Sequence, residues 1–245
     1  MEAAQNSYPQ QRLMLVLSDF FPPGIHAIFT DRNSGLSLAQ GEISLTPEQE
    51  ETAAACFSIP DSVFVPLRQV HGNRIVVYER GGPGPFVPFD ADGCLTKSSR
   101  CWISVRTADC LPVFLCDPRN RCVGVVHAGW RGTRDGIVRE AVARMRDAFG
   151  SDPAEMSVVL GPCIRPCCYT VGPEFRDFFP EDVRRQGPGL VLDLAGANIR
   201  QLEQGGVPVA QVHDCGACTC CDTRFFSYRR EGASCGRNLA LMVMA

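Results

Sequence analysis

Short apolar runs rich in β-branched residues, set between polar turns, dominate the first half of this 245-residue chain. Runs at 25–30, 63–70, 74–78, 102–107, 111–116 and 122–127 predict β-strands. Gly81-Gly82-Pro83-Gly84-Pro85 predicts a loop. Past residue 132 the period changes. Ile137, Val138, Ala141, Val142, Met145 and Ala148 keep helical spacing, so a helix is expected over 133–149, stopped by Gly150. A second helix is expected from Pro173, carrying Phe175, Phe178 and Phe179. A third runs from an Asp193 cap through Leu194, Ile199 and Leu202 to Gly205-Gly206. Strands near 207–212, 225–228 and 239–244 close the chain. No repeat or interdomain linker stands out. Strand runs between three helices predict a single α+β domain with mixed sheets over 1–245, the first 20 residues lying at its periphery.

Composition narrows the function classes. Hydrophobic residues make up 45% of the chain, enough for a substantial core. The formal net charge is −3, and no basic run is longer than Arg229-Arg230, so neither a nucleic-acid partner nor a membrane surface is expected. No stretch of about 18 apolar residues exists to span a bilayer. The polar start, Met1 to Gln11, lacks the pattern of a signal peptide, so a cytoplasmic protein with reduced thiols is expected. Fourteen cysteines then read as core residues, ligands or nucleophiles rather than disulfide partners.

The chemistry concentrates between Arg106 and Gly132. Two apolar strands flank a turn at Asp117-Pro118-Arg119-Asn120. Folded symmetrically about Pro118 and Arg119, the hairpin sets Cys110 opposite His127, with Cβ atoms about 4.5–5.5 Å apart. His71, in Arg-Gln-Val-His-Gly, sits in the same strand-end context. His71, Cys110 and His127 then form a His₂Cys set that leaves the fourth tetrahedral position open, as in catalytic zinc sites. The alternatives are a surface-turn His71, a structural zinc completed by Cys116 or Cys122, and a metal-free Cys–His dyad.

Neighbouring residues extend the set. Asp109 and Asp92 can serve as a general base or orient a ligand histidine, while Asp92 can equally cap a turn. Arg131, at the expected helix start, offers a phosphate contact or is simply solvated. The run Phe225-Phe226-Ser227-Tyr228-Arg229 offers an aromatic beside an arginine, or core packing. His213 to Cys221 is cysteine-dense, and with Cys163, Cys167 and Cys168 it can form a second metal site; spare thiols are the alternative.

Taken in order, Arg-Gln-Val-His-Gly, Asp-Ala-Asp-Gly, Thr-Ala-Asp-Cys-Leu-Pro-Val, His-Ala-Gly-Trp-Arg-Gly, Gly-Pro-Cys-Ile with Tyr-Thr-Val-Gly-Pro-Glu, and Phe-Phe-Ser-Tyr-Arg-Arg-Glu resemble the YfiH-type, laccase-domain family. So does the segment 29–37. The resemblance spans about 24–242. It implies an α/β/β/α layered domain with zinc at His71, Cys110 and His127. It also implies phosphorolysis of adenosine, inosine, guanosine and methylthioadenosine, with adenosine deamination besides. Its partners would be a small-molecule nucleoside and phosphate, acting on a monomer or weak homodimer. On this reading Cys110, His127 and Asp109 are catalytic, and Arg32, Gln69, Arg131 and Arg229 bind substrate. Older labels of the family imply copper-dependent phenol oxidation, which needs more histidine ligands than the four present. Some members resemble peptidoglycan-precursor editing factors. The chain departs from the family pattern over 35–51, which puts substrate choice in question if that segment lines the pocket.

Two other readings compete with the phosphorylase. One is a Cys–His hydrolase or amidase acting on a cell-wall precursor, with Cys110 as nucleophile and His127 as base. The other is a non-catalytic module whose zinc is structural.

Overall fold

Strands that are apolar at every position must be covered on both faces, and here they are. The computed structural model describes residues 14–80 and 88–245; the expected loop at 81–85 lies outside them. A six-stranded sheet has the order Val212–Asp214, Ser157–Leu160, Leu111–Asp117, Cys122–Ala128, Gly93–Thr96, Ile75–Tyr78. A five-stranded sheet has the order Met14–Val16, Ile25–Thr30, Asn238–Met244, Cys101–Thr107, Val63–Val65. Each mixes parallel and antiparallel pairs.

The alternation of side chains builds four layers. In Asn238–Met244, Ala240, Met242 and Met244 face the six-stranded sheet, meeting Phe114, Cys116, Val123 and Val125. Leu239, Leu241 and Val243 face the other way, packing with Trp102 against Ala53 and Cys56 of the helix Pro47–Cys56. On the far side of the six-stranded sheet, Val113, Leu115 and Val126 pack against Val138, Ala141 and Met145. The order is helix, sheet, sheet, helix, as the resemblance implies. Each fully buried Leu, Phe or Met contributes about 1.5–3 kcal/mol of burial.

Several expected elements differ, each for a local reason. The run 63–70 is split by Pro66, which has no N–H for a ladder, into Val63–Val65 and Leu67–Arg68. The expected helix 133–149 is two helices, Trp130–Arg134 and Ile137–Phe149, parted at Gly136 with φ +80°. The helix expected from Pro173 is a single turn, Phe175–Phe178, whose rings gather on Trp130 instead of forming a stripe. The expected strand at 225–228 does not form: Ser227 caps the helical turn Tyr228–Glu231, accepting from the Arg230 amide at 3.3 Å. Phe225 is core, edge-on to Phe29 at 5.3 Å. The region 207–212 is a 3₁₀ turn, Val209–Gln211, leading into Val212–Asp214. The third helix, Leu194–Gln204, has its Asp193 cap accepting from the Gly196 amide.

Residues 14–17 are not peripheral. Met14–Val16 pairs with Ile28–Thr30, and Leu17 is 1% exposed. Unexpected elements are Gly93–Thr96, Ser157–Leu160, the hairpin Val183–Gln186 with Gly189–Leu192, and the helix Pro47–Cys56. That helix starts with a full capping box between Thr46 and Gln49.

Candidate active site and metal centre

The site is built at the open end of the hairpin, and its register is not the expected one. Asp117 accepts from the amides of Arg119 and Asn120 at 2.9 and 3.0 Å, closing a loop of four residues between paired Asp117 and Cys122. His127 therefore faces Pro112, not Cys110. The pairing ends at Leu111 and Ala128, and Cys110 comes next, beside Gly129. A Cβ at Gly129 would sit 3.0 Å from Cys110 Sγ, 3.5 Å from His71 Cδ2 and 3.7 Å from His127 Cε1. The missing side chain leaves the space in which the sulfur reaches diagonally to His127.

The three expected ligands do converge. One ligand atom from each of His71, Cys110 and His127 lies within 4.8 Å of the others. The imidazole rings are nearly perpendicular, with centroids 4.9 Å apart. His71 is exposed, Cys110 half-buried and His127 buried, so the set opens to one side only. Two histidines, one thiolate and a cradle that a methyl group would fill suit a borderline-soft ion such as zinc.

Asp92 organises this set, and it does both of the things the sequence allowed. Fully buried, its Oδ1 accepts from the His71 amide at 3.0 Å and meets His127 Nδ1 at 2.8 Å. Its Oδ2 accepts from the Val70 and Gly72 amides at 3.1 and 2.8 Å. One carboxylate thus fixes the His127 ring and holds the turn in which His71 adopts φ +59°. Burial pushes the Asp92 carboxyl up, but the hydrogen bond and charge of His127 and the loop amides outweigh it, leaving it below the usual range.

Electrostatics favour the ionised ligand. Burial would raise the Cys110 thiol, yet His127 and His71, by charge and hydrogen bonding, bring it down to about 6. Burial would lower His127, yet the Cys110 thiolate and Asp92 raise it to about 9.

A cavity of about 740 Å³ opens beside the set. Gln69, Asp109, Arg131 and Arg229 line it, as does Tyr228 of the aromatic run noted in the sequence; Trp130 and Tyr169, within the quoted motifs, and Arg68, Arg106 and Arg237 line it too without having been singled out. Five guanidinium groups against the two carboxylates Asp109 and Glu42 make the cavity cationic. The Arg131 guanidinium lies over the Trp130 ring at 4.4 Å and has no hydrogen-bond or ion-pair partner among the described residues. Gln69 is occupied: its amide oxygen accepts from the Arg106 amide at 2.8 Å and from Arg106 Nε at 3.1 Å. Arg229 donates to the Cys168 and Thr170 carbonyls at 2.8 and 3.1 Å.

One expected role needs correction, and another residue has additional partners. Arg32 does not line the cavity; it donates to Glu231 at 2.6 Å and to the Phe225 carbonyl at 3.0 Å, pinning the C-terminal loop. Asp109 lies at the cavity but is tied up: Oδ1 accepts from Thr219 Oγ1 at 2.7 Å, and Oδ2 from the Arg229 amide at 2.6 Å. Its φ of +93° marks a strained position. The departing segment 35–51 does reach the cavity, through Gly41, Glu42 and Ile43. The Glu42 carbonyl accepts a hydrogen bond from Arg106.

The other two histidines stand elsewhere. His213 stacks on Phe20 at 3.6 Å, and His26 lies beside Phe57 at 5.1 Å. They add nothing to a copper cluster at this site.

These features coincide with one protein family. The chain belongs to the family described as multi-copper polyphenol oxidoreductase laccase, whose model matches residues 26–245. It is 32% identical over 231 residues to purine nucleoside phosphorylase YlmD of Geobacillus stearothermophilus, covering 87% of this chain and 84% of that one. It is 32% identical over 216 residues to a purine nucleoside phosphorylase of Deinococcus radiodurans, covering 85% and 82%. The crystal structure of the hypothetical protein YfiH from Bacillus licheniformis superposes with a TM-score of 0.84 at 26% identity, over 98% of each chain. The crystal structure of Geobacillus stearothermophilus YlmD gives 0.81 at 29%, over 91% and 92%. No helix among the described residues is long and apolar enough to cross a membrane.

Proposed function

We propose that this chain is a zinc-containing purine nucleoside phosphorylase, which releases the free base and ribose 1-phosphate from a nucleoside and phosphate. One observation carries the reading: a single cavity joins an open His₂Cys set, a cluster of arginines and three aromatic rings. Those are the chemistries that a metal, an anion and a planar base require. Relatives named for the same activity support it.

His71, Cys110 and His127 would hold the zinc, which when bound supplies a Lewis acid with one exchangeable position. Asp92 holds His127 Nδ1, which leaves its Nε2 free to ligate the ion. Arg131, unpaired and at the cavity wall, holds phosphate. Trp130, Tyr169 and Tyr228 offer faces for the purine, and Arg229 steadies the Tyr169 wall from 5.4 Å. Asp109, the expected catalytic carboxylate, also ties the Thr219 and Arg229 loops together at the cavity wall. The reaction is tested by incubating adenosine, inosine, guanosine and methylthioadenosine with and without phosphate. Free base that appears only with phosphate supports the reading; base release indifferent to phosphate overturns it. Inosine formed from adenosine in the phosphate-free arm tests the accompanying deamination.

The Cys110–His127 pair favours one second reading, the Cys–His hydrolase. Its lowered thiol beside an oriented imidazole is what a nucleophile and base require. Under that reading, turnover survives removal of both metal and phosphate, and alkylation of Cys110 abolishes it.

A further inference from the structure

A second sulfur cluster lies behind the cavity wall. Cys167 and Cys168 follow the Arg165-Pro166 turn; Cys218 and Cys221 belong to the loop after Val212–Asp214. All four Sγ atoms lie within 4.8 Å of one another. Cys221 Sγ is 3.6 Å from Cys167 Sγ and 3.3 Å from Cys168 Sγ. Four thiolates at about 2.3 Å from one tetrahedral ion stand about 3.8 Å apart, which matches this spacing. A disulfide, with its bond of about 2.05 Å, joins only two sulfurs and gives no reason for four to gather. Nor does core packing, since Cys167 and Cys221 are exposed.

The backbone is arranged for such a site. Cys163 and Cys218 form a parallel bridge, with the Thr219 amide donating to the Cys163 carbonyl at 3.0 Å and the Cys163 amide to Ala217 at 3.2 Å. Arg165 and Asp214 tie the same two segments by a bidentate ion pair, one arm of which is 2.7 Å.

We propose that Cys167, Cys168, Cys218 and Cys221 bind one zinc ion as a closed, four-thiolate structural site. Four protein ligands leave no position for a substrate, so the ion takes no part in turnover. Its role is to clip two segments that together shape the cavity wall. One carries the Cys168 and Thr170 carbonyls that hold Arg229, and the other carries Thr219, which holds Asp109. Each ligand binds after loss of its proton, so metal uptake releases protons and needs reduced thiols.

The test uses full-length protein purified anaerobically with a reductant. Elemental analysis should find about two zinc ions per chain, falling to about one in both Cys110→Ala and the double variant Cys218→Ser/Cys221→Ser. Cobalt then replaces zinc in Cys110→Ala, where this cluster holds the thiolate ligands left to metal. Strong thiolate-to-cobalt charge transfer with tetrahedral ligand-field bands is the expected spectrum. Its absence from a folded Cys110→Ala protein overturns the proposal, as does zinc content unchanged by the double variant. A Cys168–Cys221 disulfide as the sole form in the anaerobic protein overturns it too. If the double variant does not fold, the cobalt spectrum decides alone. None of these readouts involves nucleoside turnover, so they stand apart from the phosphorylase reading.

Discussion

The two sulfur-bearing clusters are built from similar atoms and do opposite things. At the hairpin end, one thiolate and two imidazoles meet beside a cavity of about 740 Å³, and a buried carboxylate aims one ring. Behind the wall, four cysteine sulfurs meet where two segments are tied together by the Cys163–Cys218 bridge and the Arg165–Asp214 ion pair. Three ligands with an open side make a place for reaction; four make a fastener. The difference lies less in the cysteines than in what surrounds them: Gly129 clears space at the first, and Cys163–Cys218 pairing closes the second.

The largest expected effect falls on the open cluster. Cys110→Ala or His127→Ala should reduce phosphate-dependent base release by about 10²–10³-fold or more, and His127→Ala should also lower the melting temperature because buried Asp92 loses its partner. Steady-state kinetics and thermal melts on the same preparations check this; near-normal turnover in either variant removes the assignment. Asp92→Asn should come next, weakening metal affinity by about 10–100-fold, read by competition with a chelator. Unaltered affinity would mean that His127 needs no such partner.

At the closed cluster the pattern should invert. Cys218→Ser should cost about 3 kcal/mol of stability, comparable to other long-loop cross-links, and so lower the melting temperature by about 6–12 °C. Activity at 25 °C should fall far less than in Cys110→Ala. Equal losses of activity in the two variants would erase the distinction.

The pH response is also specific to the open cluster. In metal-free protein the pair is thiolate and imidazolium between about pH 6 and about pH 9. Zinc binding in that window expels one proton from His127. Affinity should therefore rise about tenfold per pH unit and flatten above about 9. Titration of zinc affinity against pH checks the slope; a flat profile from 6 to 9 contradicts the pair. The smallest effects concern two arginines that look alike in sequence. Arg131→Ala should raise the KM for phosphate about tenfold with kcat little changed. Arg32→Ala should leave KM alone and cost no more than about 1 kcal/mol of stability, since its ion pair with Glu231 is partly solvated.

Local signals were enough for the longer strands of the double-sheet core. Strands such as Ile25–Thr30 and Cys122–Ala128 are apolar almost throughout because both faces are covered, and a run of that kind needs no partner to be read. The Asp193 cap and the Gly150 stop act within a turn of their own helices. Shorter or half-buried pieces escaped: Gly93–Thr96 is four residues long, and the helix Pro47–Cys56 carries almost no apolar stripe.

The three candidate metal ligands could be picked out of the chain because histidine is scarce and His71 and His127 sit at strand ends in marked motifs. Their meeting point was another matter. Cys110 reaches His127 not as a cross-strand partner but diagonally, through space that Gly129 leaves empty, and the hairpin register that decides this depends on how Asp117 closes a four-residue loop. Arg32 and Arg131 have the same chemistry in one dimension; only the fold gives one a carboxylate and leaves the other facing a cavity. Residue type sets what a side chain can do, and that is written in the chain. Which groups share a site depends on contacts across more than a hundred residues, such as Asp109 with Thr219, and those exist only once the sheets have packed.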